Sequence, residues 1–482
     1  MLALMLTGSA LLAAEPIPVT VRLDSPVVER FLGLGVQWDP YEYPPLPEAW
    51  KTTLNRVDFM KPGVLRVMLN ASAYVRGFDA SGDPRYVWSE GETGIERLSS
   101  LLGILDYAQS HQIDVLIGEW SPARGINTRA GRAGAGDPHW ARIHAGFLKY
   151  LIGVRKYTVI RYFNYMNEPN GNWMWPGGNV DYNAWAQGIR NLRKELDAQG
   201  LPAVKLAGPD NSGNWEWLER CATEMPREFG AWESHWYAKD SDVTEGRIEK
   251  FLKEKREMLL TSDPPAASKP LFIGEAGMIE GKTNGDQQPR VKEFAYGVLM
   301  ADYVAQAARA GWASAIAWDL DDAMHVNTGG RVTPPTERTL KIWGFWNTQG
   351  AAMGHAEDEA VRPWFYTWSL MGRLFPKGSQ IVASDSRAEV RSLAAKRQDG
   401  GLSVMVVNES DTPCTVEVKA PGGGRKALEI YRYFDRERPA TVEGFASASE
   451  KLPAIDMVKG VRIEMPSRGV VFVTSTGSPR AR

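Results

Sequence analysis

The chain is poor in the residues that build metal sites and disulfide frameworks. It has 2 cysteines and 6 histidines among 482 residues, and Cys221 and Cys414 lie far apart, in different predicted domains. We therefore expect no bridge between them, and their spacing matches no metal-ligand cluster. The chain also lacks the glycine-rich loops that cradle phosphates, so neither a metal nor a nucleotide cofactor is predicted.

A strong net charge is also missing. The 56 basic and 58 acidic residues leave a formal net charge of −2, so no electrostatic field favours nucleic acid or an anionic membrane as a partner. Beyond the N-terminus, no apolar run reaches the ~20 residues that span a bilayer.

The first residues form an apolar run that ends in small side chains. Residues 1–14 are typical of a secretory signal, although the usual basic start is absent. We therefore expect a secreted or periplasmic protein with no membrane association after the signal is removed. A buried N-terminal segment is the alternative interpretation.

Short apolar, β-branched runs alternate regularly with amphipathic helical segments. Such β–α alternation implies parallel strands joined by crossover helices. Eight repeats predict an α/β fold, a closed (β/α)8 barrel of the TIM type. The strand candidates are residues 31–37, 64–69, 113–118, 159–166, 204–208, 232–237, 271–274 and 313–318.

The pattern changes in the last quarter of the chain, where short β-rich segments are separated by Gly, Pro, Asp and Asn. They predict an accessory antiparallel β-sandwich of roughly eight strands, which the segment IPVTVRL near the N-terminus should join. The predicted organisation is a signal at 1–14, N-terminal strands at 15–30, a catalytic barrel at 31–365, a sandwich at 366–476 and a tail at 477–482.

Two glutamates stand where apolar strand candidates stop. Glu168 ends the fourth in RYFNYMNEPNG, where Pro169 cannot continue a central strand, and Glu275 ends the seventh in KPLFIGEAGM. Barrel enzymes place their chemistry at the C-terminal strand ends, and these two strands face each other across the mouth. Facing carboxyl groups suit glycosidic cleavage, in which one protonates the leaving oxygen and the other attacks carbon or activates water.

Residues on other strand candidates supply possible helpers. Arg66 in VLRVMLN would keep Glu275 ionised and oriented, unless it forms a structural ion pair inside the barrel. His235 and Tyr237 in HWY share one face of the sixth strand by alternation. Tyr237 is expected to hydrogen-bond Glu275 and His235 to orient Glu168, although a lone histidine often only packs.

The 18 tryptophans offer flat apolar faces on which sugar rings stack. Trp318 ends the eighth strand candidate and predicts the floor of a sugar site. Glu119 ends the third and either binds a substrate hydroxyl or braces the barrel. The acidic run WDLDD favours a solvated loop over a metal site. Further rim residues, of which roughly half should only pack, are Trp38, Asp39, Trp120, Trp173, Trp175, Trp343 and Trp346.

Together, NEPNG, IGEAG, HWY, LRV and the strand-eight tryptophan resemble the clan A glycoside hydrolases. The barrel and terminal sandwich, bridged by PWFYTWSLMGRLFPKGS, are similar to families 30 and 39, and PLFIGEAG is similar to family 5. The triplet Gly118-Glu119-Trp120 departs from the pattern of several members after strand three. The resemblance implies a β-glycosidase that retains configuration by double displacement through a covalent glycosyl-enzyme.

The resemblance also implies roles for individual residues. Glu168 would be the acid/base and Glu275 the nucleophile. Asn167 would bind the sugar 2-hydroxyl, and Trp318 would line the sugar site before the scissile bond. The helpers Arg66, Tyr237 and His235 would keep the roles given above.

Two other functions stay open on the sequence alone. One is a non-catalytic carbohydrate-binding protein on the same barrel, and the other is a transglycosylase in which a sugar hydroxyl replaces water. An oligosaccharide, polysaccharide or glycoside is the expected partner in each case.

Overall fold

The computed structural model describes residues 15–43, 45–89, 96–121, 135–172, 175, 178–325 and 338–475. The predicted signal and the predicted tail lie outside these ranges. The structure is an α/β barrel followed by a β-rich domain, and the N-terminal strand that precedes the barrel belongs to the sheet of the second domain.

The strands, in chain order, are β1 (Ile17–Val28), β2 (Gly35–Gln37), β3 (Val64–Leu69), β4 (Val75–Phe78), β5 (Pro84–Tyr86), β6 (Asp114–Glu119), β7 (Ile160–Asn164), β8 (Lys205–Ser212), β9 (Phe229–Ala238), β10 (Leu271–Met278), β11 (Ser314–Ala317), β12 (Gln380–Ser384), β13 (Val390–Lys396), β14 (Leu402–Asn408), β15 (Cys414–Lys419), β16 (Arg425–Tyr433), β17 (Glu450–Asp456), β18 (Val461–Met465) and β19 (Gly469–Ser475). The α-helices are α1 (Pro47–Met60), α2 (Glu96–His111), α3 (Pro138–Leu148), α4 (Tyr182–Ala198), α5 (Glu216–Glu224), α6 (Asp240–Thr244), α7 (Arg247–Ser262), α8 (Phe294–Arg309) and α9 (Pro363–Leu374).

Eight parallel strands close the barrel in the order β10-β11-β2-β3-β6-β7-β8-β9. Each of them overlaps one strand candidate, so the predicted barrel is confirmed. The strands read as almost continuous apolar runs because the barrel interior covers one face and the helices cover the other. None of the helices in the described part of the chain is long and apolar enough to cross a membrane.

The barrel interior has an apolar floor and a polar layer above it. Alternation along a strand places residues two apart on the same face. Thus Arg66, Asn164 and Glu233, all fully buried, lie two residues closer to the C-terminal strand ends than floor residues of β3, β7 and β9. The floor consists of Val64, Leu116, Tyr162, Ala207, Ala231, Phe272 and Ile316, one from each of seven strands.

The second domain is a nine-stranded sheet in the order β17-β16-β19-β14-β13-β12-β1-β15-β18. The first part of β1 pairs in parallel with β15, and its second part pairs antiparallel with β12. One apolar core collects side chains from both halves of this sheet, including Val19, Val406, Val416 and Ile463. The predicted sandwich is confirmed, including the contribution of IPVTVRL, although the β1–β15 pairing is parallel.

The two domains contact each other through apolar packing and through a buried ion pair. Helix α9 crosses the boundary that the sequence placed after residue 365, and Trp364 and Trp368 bury their rings there. Arg391 of β13 donates to Asp302 of α8 at 2.6 Å, with both side chains buried. The free thiol Cys221 is buried in the barrel, and the free thiol Cys414 begins β15.

Candidate active site

Glu168 and Glu275 meet at the C-terminal mouth of the barrel. One carboxylate oxygen from each, and one ring nitrogen of His235, all lie within 4.8 Å of one another. Glu275 lies within β10 and is 4% exposed, whereas the Glu168 side chain is 17% exposed. The structure therefore brings together the two carboxyl groups that the sequence singled out.

Glu168 follows β7 in a strained backbone conformation. Its φ is 40°, a left-handed value that costs a non-glycine residue about 1–3 kcal/mol unless its surroundings enforce it. The Glu168 N–H donates to Asp210 Oδ2 at 3.2 Å, and this bond helps to hold the turn. The strain therefore sits at the residue whose carboxyl group is aimed into the barrel mouth.

Both oxygens of Glu275 accept a hydrogen bond. Arg66 Nη1 donates to Oε1 at 2.6 Å, and the Tyr237 hydroxyl donates to Oε2 at 2.5 Å. Arg66 Nη1 also donates to Gln37. With one hydrogen bond on each oxygen, the Glu275 carboxylate is held in a single orientation toward the cavity.

Burial and charge act in opposite directions on Glu275. Burial raises the pKa of Glu275 above its ordinary value, while His235, Arg66 and the Tyr237 hydrogen bond act to lower it. Arg66 thus favours the ionised form, as expected from the sequence, but burial together with the Glu168 charge outweighs it.

His235 bridges Glu168 and a third carboxylate. Its Nδ1 lies 3.0 Å from Glu168 Oε1 and its Nε2 lies 2.9 Å from Asp210 Oδ1. A cationic imidazole carries a hydrogen on each ring nitrogen, so in that form His235 donates to both carboxyl groups. Burial acts to lower the pKa of His235, but Asp210 and Glu275 raise it well above its ordinary value.

Asp210 is a central residue that the sequence reasoning missed. Arg66 Nη2 donates to both of its oxygens at 3.1 Å. Burial acts against ionisation, but Arg66 and then His235 hold the pKa of Asp210 well below its ordinary range. The fifth strand candidate was ended at Gly208, whereas β8 continues to Ser212. An acidic residue in GPDNSG at a strand end was the available signal.

Asn167 lies beside Glu168 on the cavity wall. Its Oδ1 accepts from Arg66 Nη2 at 2.7 Å. An arginine can only donate, so the amide oxygen must face Arg66 and the amide N–H groups are directed elsewhere. This orientation leaves a donor available at the position where the resemblance implies a sugar hydroxyl.

The carboxyl pair opens into a cavity of about 720 Å³ with aromatic walls. Trp318 and Trp120, both predicted from the sequence, line it with their rings perpendicular and 5.8 Å apart. Trp343 also lines it and lies 5.2 Å from the Tyr237 ring. The cavity lining further includes Trp215 in the loop before α5, Trp236 on the outer face of β9 and Phe251 on α7, which the sequence reasoning missed.

Other predicted tryptophans lie outside the cavity lining. Trp38 is fully buried against Trp50, with ring centroids 5.3 Å apart. Trp346 is buried beneath Arg56. Trp175 donates its indole N–H to the Pro169 carbonyl at 2.7 Å. These rings have structural partners, and the predicted Trp173 lies outside the described residues.

Two predicted polar contacts also lie outside the cavity lining. Glu119 is 1% exposed and accepts from the Tyr74 hydroxyl and the Ser121 N–H, which matches the bracing alternative. Burial raises its pKa well above the ordinary value. Asp39 is buried, accepts from the Met68 N–H at 2.6 Å and lies 3.0 Å from His325 Nε2.

The prediction of a solvated loop for WDLDD is wrong. Asp319, Asp321 and Asp322 are all buried. Asp322 forms an ion pair with Arg362, and Asp321 accepts from the Tyr41 hydroxyl at 2.8 Å. Internal donors of this kind are invisible in the local sequence, because they come from distant segments.

Comparison with known proteins finds solved structures with a similar fold but no match at the level of the sequence. No protein-family model and no curated protein matches the sequence. A GH30 endoxylanase from Clostridium papyrosolvens has a similar structure, with a TM-score of 0.63 and 13% identity over 95% of this chain and 100% of that one.

Two further solved structures are similar over nearly their whole length. For the GH39 enzyme from Xanthomonas axonopodis pv. citri the TM-score is 0.65 at 16% identity, covering 98% of this chain and 100% of that one. For an alpha-L-arabinofuranosidase from Thermotoga maritima the TM-score is 0.65 at 14% identity, covering 95% and 99%. The resemblance to clan A glycoside hydrolases of families 30 and 39 is thus confirmed at the level of the fold.

Proposed function

We propose that this protein is a retaining β-glycosidase that acts through a covalent glycosyl-enzyme. The observation that carries the proposal is the approach of Glu168 and Glu275 oxygens to within 4.8 Å. Retaining enzymes hold their carboxyl groups about 5–5.5 Å apart, whereas inverting enzymes need about 6.5–9.5 Å to admit a water molecule. The spacing therefore supports direct attack by a carboxylate.

The contacts around each carboxyl group support the division of roles. Glu275 is held through both oxygens by Arg66 and Tyr237, which suits a nucleophile that must attack one carbon from a fixed direction. Glu168 is more exposed and has His235 as its neighbour. It suits a group that exchanges protons with the leaving oxygen and then with water.

The proposed reaction has two steps. In the first, a Glu275 oxygen bonds to the anomeric carbon while the bond to the leaving oxygen breaks, and Glu168 transfers its proton to that oxygen. In the second, Glu168 takes a proton from water, the water oxygen bonds to the anomeric carbon, and the ester to Glu275 breaks. Configuration is retained because carbon is attacked twice from opposite faces.

Carbohydrate is the proposed substrate because the cavity walls are aromatic. Trp120, Trp318 and Trp343 present apolar faces near the carboxyl pair, and sugar rings stack on such faces. The similar structures named above include an endoxylanase and an alpha-L-arabinofuranosidase, so pentosides belong in any substrate panel.

Mechanism-based labelling tests the proposal most directly. Activated 2-deoxy-2-fluoro β-xyloside, β-glucoside and the α-L-arabinofuranosyl analogue are incubated with the protein, followed by intact mass measurement and peptide mapping. We expect one sugar per chain, attached to the peptide that contains Glu275. Glu275→Gln should remain unlabelled, while Glu254→Gln, an exposed change on α7, should label like the unmodified protein.

Turnover provides the second readout. Aryl glycosides of the same sugars should be hydrolysed with the first-formed product in the substrate's configuration, and Glu275→Ala should abolish this hydrolysis. Equal hydrolysis of every substrate by the unmodified protein and by Glu275→Ala would exclude the assignment. Tight glycan binding by calorimetry without any turnover would favour the non-catalytic alternative instead.

Transglycosylation is the second candidate reaction of the same site. Trp215, Trp236 and Phe251 form a cluster of half-buried rings on the cavity wall, which suits an acceptor sugar in the second step. Product analysis at rising acceptor concentration separates the two reactions, because a transglycosylase forms longer glycosides at the expense of free sugar.

We also propose that the protein is exported. The apolar run at residues 1–14 supports this proposal. The test is to compare the periplasmic and medium fractions of cells that express the full chain or a chain beginning at residue 15. Export of the full chain alone, with mass-spectrometric detection of a shortened N-terminus, is expected.

A further inference from the structure

Glu233 is a buried acidic residue directly below the carboxyl pair that the proposed reaction does not use. It lies on β9, two residues before His235 and on the same inward face, and it is fully buried. Its Oε2 accepts from Asn164 Nδ2 at 3.3 Å, and its Oε1 makes no hydrogen bond. A carboxylate with a single long hydrogen bond at this depth is poorly stabilised.

The position of Glu233 depends on a glycine in the neighbouring strand. A Cβ atom on Gly274 would lie 1.5 Å from Glu233 Oε1, so the side chain occupies space that only glycine leaves open. Oxygens of Glu233 and Asp210 and a nitrogen of His235 lie within 4.8 Å of one another. The Oε1 atom is 3.3 Å from His235 Nε2.

The charges in this layer balance in one protonation state. The two cations are Arg66 and His235, and the carboxyl groups around them are Asp210, Glu233, Glu275 and Glu168. With Glu275 ionised as nucleophile and Glu168 protonated as acid, the cations balance Asp210 and Glu275 alone. An ionised Glu233 would leave one buried negative charge without a partner, which is strongly unfavourable.

The balance also holds after the first chemical step. Glu275 then becomes a neutral ester, and Glu168 has given its proton to the leaving oxygen and is ionised. The two cations now balance Asp210 and Glu168, again only if Glu233 is neutral. Asp39, the next acidic group, lies beyond Gln37 and outside this layer: Gln37 Nε2 donates to its Oδ2 at 2.8 Å, and the Met68 N–H donates to its Oδ1 at 2.6 Å.

We propose that Glu233 is a positioning residue in the neutral carboxylic acid form, which donates its proton to Asp210 throughout the reaction. The Asp210–Glu233 pair then carries one negative charge. It holds the His235 imidazolium by Nε2, with Nδ1 aimed at Glu168. This inference rests on the proposed function for the roles of Glu168 and Glu275, but the protonation of the resting site is measurable without turnover.

The electrostatic environment of Glu233 agrees with this form. Burial, and next the Asp210 charge, raise the pKa of Glu233 to about 8, against the lowering effect of His235. Asp210 faces Glu233 from β8, His235 shares β9 with it, Arg66 approaches from β3 and the neutral Asn164 amide approaches from β7.

Infrared difference spectroscopy on the full-length protein tests the protonation directly. A neutral carboxylic acid has a carbonyl band that an ionised carboxylate lacks. Near pH 6, about two pH units below the pKa given above, the unmodified protein should show such a band that Glu233→Gln lacks. Glu168→Gln identifies the acid/base band separately. After labelling with a 2-deoxy-2-fluoro glycoside, the Glu168 band should vanish while the Glu233 band persists.

Activity variants provide a second, independent test. On 4-nitrophenyl β-D-xylopyranoside, Glu233→Gln should keep about a third or more of kcat/KM because its amide also donates to Asp210. Glu233→Leu should lose about 10- to 100-fold because it leaves Asp210 without that donor. Absence of the Glu233 band, or an equal loss in both variants, would overturn the inference. If the protein hydrolyses no glycoside, the proposed function fails while the infrared result still decides the state of Glu233.

Discussion

Arg66 and Asp210 form a buried ion pair in which one guanidinium nitrogen, Nη2, lies 3.1 Å from both carboxylate oxygens. Through this pair Asp210 connects the arginine that holds Glu275 to the histidine that contacts Glu168. The two carboxyl groups of the proposed reaction therefore depend on one acidic residue that touches neither reacting atom.

Replacing Asp210 by asparagine should reduce both activity and stability. Asp210→Asn keeps the volume but removes the charge that Arg66 and His235 share, so both would lose their orientation. We expect kcat/KM on an aryl glycoside to fall by about 100-fold, the equivalent of about 3 kcal/mol for a lost hydrogen bond to a charged group. Steady-state kinetics and a melting curve measure the two effects.

The matched control for this substitution is Asp263→Asn. Asp263 is also buried and ion-paired, with Lys269 at 2.6 Å, and accepts from the Trp232 indole N–H, but it precedes β10, at the opposite end of the barrel. Asp263→Asn should lower the melting temperature and leave kcat/KM near the value of the unmodified protein. A loss of activity no larger than that of Asp263→Asn would contradict the role of Asp210.

Tyr237→Phe should move the acid limb of the pH–rate profile toward higher pH. Glu275 must be ionised to attack, and the Tyr237 hydrogen bond lowers its pKa. Removing the hydroxyl raises that pKa further, so activity is lost at a higher pH as the medium is acidified. The plateau of kcat/KM should also fall by about 10-fold. Profiles of kcat/KM against pH provide the measurement.

Tyr303→Phe is the matched control for the hydroxyl deletion. Tyr303 lies on α8 and donates to the Trp236 carbonyl at 3.0 Å, away from Glu275. The acid limb of the pH–rate profile of Tyr303→Phe should coincide with that of the unmodified protein. An acid limb of Tyr237→Phe that stays in place or moves to lower pH is incompatible with the predicted hydrogen bond to the nucleophile.

The parts of the site that follow from periodicity could be predicted from the sequence. A glutamate at the end of an apolar strand must lie at the barrel rim, and alternation must place His235 and Tyr237 on one face. Asp210 was not predicted because the fifth strand candidate ends at Gly208, before Pro209, whereas β8 continues to Ser212. Glu233 could have been found by the same alternation from His235, since an inward-facing acid inside a barrel strand requires internal partners.

The function of an individual tryptophan could not be predicted in this way. Trp38 follows the first barrel strand candidate and Trp318 ends the eighth. Trp38 packs beneath helices, whereas Trp318 lines the cavity. The difference comes from helix packing around β2, which brings Trp50 and Tyr107 against Trp38. Such partners come from segments that local patterns do not connect.

Trp318→Ala and Trp38→Ala should therefore differ in their effect on KM. Trp318 lines the cavity although it is only 5% exposed, and its loss should raise KM about 10-fold through lost stacking and also reduce stability. Trp38 is fully buried, and its loss should cost about 3–5 kcal/mol of stability with KM unchanged. Kinetics and denaturant unfolding test both variants. A raised KM in Trp38→Ala alone would reverse the assignment.

Gly274→Ala should be destabilising only while Glu233 is present. The new methyl group would lie 1.5 Å from Glu233 Oε1 and 2.4 Å from its Cδ, and such overpacking costs about 1–3 kcal/mol. In a Glu233→Ala background the space is empty, so the same change should cost little. Denaturant unfolding of the double-mutant cycle measures the coupling. Purely additive effects would show that the two side chains do not compete for this space.

Arg391→Met tests whether the ion pair between the second domain and the barrel contributes to the stability of the protein. Arg391 of β13 donates to Asp302 of α8 at 2.6 Å, and the Asp302 side chain is fully buried. Burial raises the pKa of Asp302 to about 7, while Arg391 acts to lower it. The nearby Glu409 is half-buried, and its loss of hydration followed by the Asp302 charge raises its pKa to about 8, while Arg391 and then Arg468 act to lower it. Arg391 thus acts on both carboxyl groups.

The expected loss of stability in Arg391→Met grows with pH. A carboxyl group whose pKa is raised in the folded state binds a proton there that the unfolded chain releases, so stability falls as the pH rises toward the folded pKa. Without Arg391 both pKa values rise further, and the fall continues above pH 7. Near pH 5 the carboxyl groups are neutral and the loss should be small. Near pH 8 it should approach about 3–5 kcal/mol, the effect of leaving a buried charge unpaired.

Calorimetric melting at the two pH values measures this difference. Arg432→Met is the matched control, because Arg432 pairs with the half-exposed Glu437 and Glu450 on the sheet surface, and such pairs contribute about 1 kcal/mol or less. Its effect should be small at both pH values. A loss in Arg391→Met that is equal at both would mean that Asp302 and Glu409 keep their charge state without the arginine, and that packing alone fastens the domains.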